Sequence, residues 1–143
     1  MASEIESVEQ LNAEFYAAFE NGDLDRMGLV WGDDQEAGGA VVCVHPGGPT
    51  IRGRAAVLRS WALMMANTSY IQFVLTDVQT RVFGQTAVLT CAENILTASD
   101  DDDAAGFAAG GRVATTNAFV RTPRGWRMWL HHGSPVLLRV EED

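Results

Sequence analysis

The chain holds three histidines, His45 before Pro46 and the adjacent pair His131 and His132 before a Gly-Ser-Pro turn. Each falls where a β-like run meets a turn, and strand ends rim pockets. A neutral imidazole there can serve as general base or hydrogen-bond partner. Glu93 lies inside the apolar run AVLTCAENI, where a carboxylate is costly unless it is paired. It is the obvious partner for a cavity histidine, whose pKa it would raise. Mutual satisfaction of buried polar groups, with no reaction, is the plainer reading and stands beside this one. Period two puts Leu89, Cys91, Glu93 and Ile95 on one strand face, and Thr115, Asn117 and Phe119 together on the next. The same alternation groups Trp126, Met128, Leu130 and His132 on one side, with Arg127, Trp129 and His131 on the other. His132, with Ser134, is expected inside. The catalytic candidates are therefore His132, Glu93 and His45, and the expected ligand-lining set is Trp61, Met65, Glu93, Asn117, His131 and His132.

No spacing among these residues makes a metal motif, and Asp100 to Asp103 lacks the alternation of a calcium loop, so that run is expected to be a solvated loop. Cys43 and Cys91 lie far apart without a CxxC and read as small buried hydrophobes. All ten basic residues are arginine, against 19 acids, for a net charge of −9. Without lysine there is no Schiff-base or P-loop chemistry. Without a basic stripe there is no nucleic-acid footprint, and acidic membranes are disfavoured too. No Gly-rich dinucleotide motif is present, and no cofactor is expected. The acidic start and the absence of a long apolar run point to a cytoplasmic protein.

The elements that must position these residues fit one domain over residues 1–143. Ser3 with Glu6 is a capping box, and Ile5, Val8, Leu11, Phe15, Ala18 and Phe19 recur at helical spacing until Asn21-Gly22. Asp23 caps a short second helix carrying Leu24, Met27, Val30 and Trp31. Val41 to His45 and Thr50 to Arg52 flank the turn PGGP as a small hairpin. Residues 53–69 form a third helix, with an apolar face from Val57, Leu58, Trp61, Ala62, Met64 and Met65 broad enough for a buried helix. Residues 70–83, 86–98, 112–121 and 126–132 read as long strands joined by short turns and one loop, hence mainly antiparallel. Strands this long must coil, and the three N-terminal helices are the available filling: an α+β cone with one open end. Apolar residues on both strand faces, such as Val88 and Ala92 against Leu89 and Cys91, predict a homodimer through the outer sheet face.

The order of elements, together with the segments VVCVHPGGPTIRGRAAVLRSW, AVLTCAENI, ATTNAFVR and GWRMWLHHGSPV, resembles a bacterial branch of the nuclear transport factor 2-like superfamily, also called the SnoaL-like fold. Where relatives of that branch often carry three consecutive histidines, this chain has Leu130, His131 and His132. The resemblance implies a cone-shaped fold that hosts isomerases, cyclases, dehydratases and epoxide hydrolases, and also members without catalysis, such as the association domain of calcium/calmodulin-dependent kinases. Two functions follow. One is a dimeric module with a small-molecule pocket at the open end of the cone. The other is a cofactor-independent isomerase, cyclase or dehydratase, in which a pocket His or Glu takes a proton from a small polyketide- or terpenoid-like molecule and Asn117 or Trp61 holds the enolate oxygen.

Overall fold

A computed structural model describes residues 3–97 and 111–137, so the run Asp100 to Asp103 lies outside the described residues. The Ser3 hydroxyl accepts the Glu6 amide while the Glu6 carboxylate accepts the Ser3 N–H. This closes the expected capping box and starts α1 (Glu4–Glu20), a contribution of about 1 kcal/mol. Asp23 accepts the Arg26 amide and opens α2 (Leu24–Val30). The third helix, α3 (Arg54–Ala66), begins at Gly53 without a cap of its own. Its first amide, on Arg54, donates instead to Asp34, which also takes the Val41 amide. The Arg54 guanidinium then donates to the carbonyls of Gly28, Trp31 and Gly32, using a cation to close the C-terminal end of α2. Two helix ends are thereby locked to each other.

Six strands form one curved, open sheet in the order β2-β1-β6-β5-β4-β3. They are β1 (Val42–Val44), β2 (Thr50–Arg52), β3 (Ile71–Phe83), β4 (Thr86–Thr97), β5 (Gly111–Thr122) and β6 (Gly125–Pro135). All neighbours are antiparallel except β1 and β6, which run parallel with Cys43 opposite His131. The α+β cone expected from the sequence is the architecture found. The helices fill its concave side: Val8, Phe15, Ala18, Phe19, Met27, Val30, Val57 and Trp61 pack against Leu89, Cys91, Phe119 and Met128. Helix α3 is less buried than expected, since only Val57 and Trp61 are fully enclosed and Leu63 faces solvent.

Strict alternation fails at two bulges. In β3 the register slips between Thr76 and Gln79, where Asp77 adopts φ 54°, and the inward positions pass from Phe73 and Leu75 to Thr80 and Val82. In β6 the slip lies opposite Ala118 and Phe119, which pair with Leu130 and Met128 and leave Trp129 as the extra residue. One inserted residue turns every later side chain to the other face. The bulge sits where the flank of β6 changes hands, from a bridge between Trp31 and Met128 to β1 pairing at Leu130.

Candidate functional site

The β6 bulge corrects the sequence reading of the histidine pair. Trp126 and Met128 face inward as expected, but beyond Trp129 it is His131 and Gly133 that face the interior, and His132 is exposed. The strand also continues to Pro135, so the pair lies within β6 rather than at its end. The His131 ring rests against Phe15 at 4.8 Å and Trp61 at 5.7 Å between centroids. Its Nδ1 lies 2.6 Å from Asn117 Oδ1 on β5. The Asn117 amide nitrogen donates to Asn12 Oδ1 at 2.8 Å and more loosely to Tyr16 Oη at 3.5 Å. With the Asn117 oxygen as acceptor, Nδ1 must carry the proton and Nε2 the lone pair.

Glu93 and the histidines do not pair. The Glu93 carboxylate accepts the Tyr16 hydroxyl at 2.6 Å, and it connects to His131 only through Tyr16 and Asn117. The strand geometry explains the separation, because Glu93 stands opposite Val113 on β5, whereas His131 stands opposite Asn117. The result is a buried polar chain in which each donor has an acceptor, running from His131 through Asn117 and Tyr16 to Glu93 with Asn12 alongside. Tyr16 and Asn12 were not among the expected site residues. The signal for them was the stripe Val8, Asn12, Tyr16 at i, i+4 spacing, which puts two polar groups on the buried face of α1.

Electrostatics follow from enclosure. Burial, helped by the neighbouring His45 and His132, pushes the His131 pKa down to about 3. Burial raises the Glu93 pKa, and the hydrogen bond from Tyr16 only partly opposes it. Burial and the Glu93 carboxylate hold the Tyr16 phenol well above its ordinary value. Burial also lifts the thiols of Cys43 and Cys91 to about 12 and about 11, which keeps both protonated and unreactive near neutrality. His45, half-buried, stands edge-on to Trp61 at 4.7 Å, and burial lowers its pKa. Its Nε2 lies 3.0 Å from the Ser60 hydroxyl, which itself donates to the Val57 carbonyl. Ser60 therefore accepts from His45 and is not activated as a nucleophile.

Trp61 stands at the centre of this group. Its ring meets Phe15, Phe19, His45 and His131, and its indole Nε1–H is buried with no partner. Met65, expected to line the site with Trp61, is half-buried and packs against the edge of the core. Among the described residues no group of three or more His, Cys, Asp or Glu is placed to hold a metal ion. A concavity of about 690 Å³ lies on the opposite face of the sheet, with Thr90, Ala92, Ala114 and Thr116 along its floor and Asp77, Arg112 and His132 among its walls.

The SnoaL-like domain model matches residues 8–138. The chain belongs to the SnoaL-like family, within the NTF2-like fold. Among solved structures, it is 48% identical to a candidate dehydratase of the NTF2-like family from Streptomyces avermitilis, over 94% of this chain and 96% of that one, with a TM-score of 0.83. A candidate calcium/calmodulin-dependent protein kinase type II association domain from Thiobacillus denitrificans is 32% identical, over 90% and 94% of the two chains, with a TM-score of 0.74. An NTF2-like protein of unknown function from Pseudomonas putida shares the fold at 19% identity and a TM-score of 0.73, over 89% and 82%. No curated protein matches the chain. No helix among the described residues is long and apolar enough to cross a membrane.

Proposed function

We propose that this protein binds a small, uncharged, largely apolar molecule in the interior of the cone, against Trp61, His131 and the aromatic rings around them. The observation that carries this reading is an unmet polar atom among aromatic side chains, the buried Trp61 Nε1–H, a donor without an acceptor. Such a group costs about 1–3 kcal/mol when left bare, and a bound molecule offsets that cost. A thermal-shift screen of small apolar compounds on wild type, His131→Ala, His132→Ala and Glu93→Gln tests it. His131→Ala should lose ligand stabilisation and His132→Ala should keep it. If no compound raises the Tm of the wild type, the binding reading fails.

The enzyme reading is second, and one observation favours it. Glu93 is an enclosed carboxyl group with a raised pKa and a Tyr16 hydroxyl on one oxygen, the environment that fits an acid–base group for work near neutrality. His131 fits that role less well: with a pKa of about 3 it is neutral at pH 7 but a weak base. If proton transfer occurs, Glu93→Gln should abolish it while leaving ligand binding nearly intact. The dehydratase name of the Streptomyces avermitilis protein points in the same direction. Turnover surviving Glu93→Gln would remove this reading.

A homodimer through the outer sheet face completes the proposal. The shallow concavity there has a floor of small residues, half-exposed Val88 and Val136 around it, and an acid and bases in its walls, which suits a self-complementary contact between two copies.

A further inference from the structure

We infer that two copies of this chain meet outer face to outer face with their sheets crossed, so that Asp77 of each copy pairs with Arg112 of the other. This rests on the homodimer reading and names the orientation of the two copies and the charged contact that sets it.

The shape of the sheet limits how copies can fit. The helices fill a concave inner side, and a hollow of about 690 Å³ opens on the outer side of the same sheet. A surface hollow on both faces is a saddle, bent one way along one direction and the opposite way across it, as strongly twisted sheets are. Two saddles laid face to face with their strands aligned touch at the walls and leave a gap between the floors. Turned through about 90°, the orthogonal arrangement of packed sheets, each ridge fills the other's hollow. A two-fold axis lying diagonally in the contact plane makes that turn and exchanges the direction along the strands with the direction across them.

Strand register supplies the positions. On the floor Thr90 stands opposite Thr116 and Ala92 opposite Ala114. Asp77 lines the hollow from β3, level with the middle of that floor, between Thr76 opposite Ala92 and Gln79 opposite Thr90. With β4 and β5 carrying the floor, it lies one and a half strand spacings from the centre, about 7 Å across the sheet. Arg112 lines the hollow from β5, three residues along the strand from the central Thr115, which is about 10 Å along the sheet. Exchanging the two directions lays one over the other.

Charge selects this diagonal over the opposite one. Both side chains are exposed, and neither has a hydrogen-bonded or ionic partner among the described residues. The opposite diagonal would lay each Asp77 carboxylate toward Val88 and Ala118 and leave Arg112 without an acid. Each chain carries a net charge of −9, so two copies associate only where opposite charges are brought into register.

Dimer dissociation constants from sedimentation equilibrium at low and high salt test this on wild type, Asp77→Asn, Asp77→Arg, Arg112→Asp and the double exchange Asp77→Arg/Arg112→Asp. Asp77→Asn, whose side chain tolerates the left-handed backbone, should weaken the dimer about tenfold through its two symmetry-related contacts. Arg112→Asp should weaken it further, and the gap from wild type should close as salt rises. Asp77→Arg should weaken it too, although it lowers the net negative charge and general repulsion alone would then tighten the dimer. The double exchange keeps the net charge of −9 and should return the constant to within about threefold of wild type. Asp77→Arg mixed with Arg112→Asp should give a heterodimer by native mass spectrometry, tighter than either homodimer. A dimeric wild type whose constant Asp77→Asn and Arg112→Asp leave unchanged, or a folded double exchange no tighter than Arg112→Asp, overturns the inference and leaves the homodimer standing. A monomeric wild type overturns both. Where Asp77→Arg folds poorly at φ 54°, Asp77→Asn and Arg112→Asp at the two salt concentrations decide the matter.

Discussion

At the scale of single residues, two buried titratable groups pull the stability of this protein in opposite directions with pH. His131 titrates at about 3 in the folded chain against 6.5 ordinarily, so the unfolded chain binds more protons between those values. Stability is therefore fully present above pH 6.5 and drains away as pH falls toward 3. Glu93 has its pKa raised above 4.5, so here the folded chain binds more protons. Its contribution is present below pH 4.5 and declines as pH rises through the folded value. Melting temperatures measured from pH 4 to 8 should show His131→Gln flattening the acid side of the profile and Glu93→Gln raising the curve toward neutral pH. Parallel profiles for wild type and both variants would mean that neither group is held as described.

At the scale of elements, Gly133 is the tightest place in the site's frame. A Cβ there would lie 2.9 Å from Val113 Cγ1 and 3.2 Å from Pro46 Cγ. Glycine lets the turn after β1 lie flat against β6, and that contact keeps His45 beside Trp61. Gly133→Ala should cost about 1–3 kcal/mol, read as a fall in the midpoint of chemical denaturation, because the Val113 methyl and the Pro46 ring must give way. An unchanged midpoint would show the turn to be adjustable. The elements themselves were legible in the sequence: the capping box at Ser3, the Asp23 cap, the Asn-Gly stop and the apolar periods placed all three helices and every strand within a few residues. The inward lists Leu89, Cys91, Glu93 and Thr115, Asn117, Phe119 held because β4 and β5 pair without interruption. His132 failed because the Trp129 bulge is set by a change of neighbour from Trp31 to β1, a tertiary event with no local signature. Glu93 met Tyr16 instead of a histidine for a related reason, since which helix turn lies over which strand residue is decided by packing. Asn12 and Tyr16 could have been suspected from their shared stripe on α1, but not their partners.

At the scale of the whole molecule, the proposed homodimer is tested at the outer face of the sheet. A dimer closed through the outer concavity buries Thr116 at its floor. Thr116→Arg puts a long cation there without touching the helices or the interior chain of polar groups. Light scattering should report twice the chain mass for wild type and the single chain mass for Thr116→Arg, with interior ligand binding retained. A monomeric wild type at micromolar concentration would reject the contact. Loss of ligand binding in the monomeric variant would instead mean that the two faces of the sheet are coupled.

The bulge in β3 has a consequence for solubility. This strand is thirteen residues long and lies at the margin of the sheet, with Val74, Val78 and Phe83 open to solvent. A long, flat margin of that composition is a template on which further chains can stack into fibres. Asp77 interrupts it midway with a left-handed backbone and a carboxylate, and Glu20 occupies the outward Phe73 amide that an incoming strand would need. Removing Asp77 restores regular pairing between Thr76 and Gln79 and flattens the margin. That deletion should leave the interior site assembled yet bring on turbidity at lower temperature than in wild type, whereas Asp77→Asn, which keeps the kink, should show a smaller change. On this view the kink is a guard against fibre growth, in a protein whose longest strand would otherwise be its most adhesive surface.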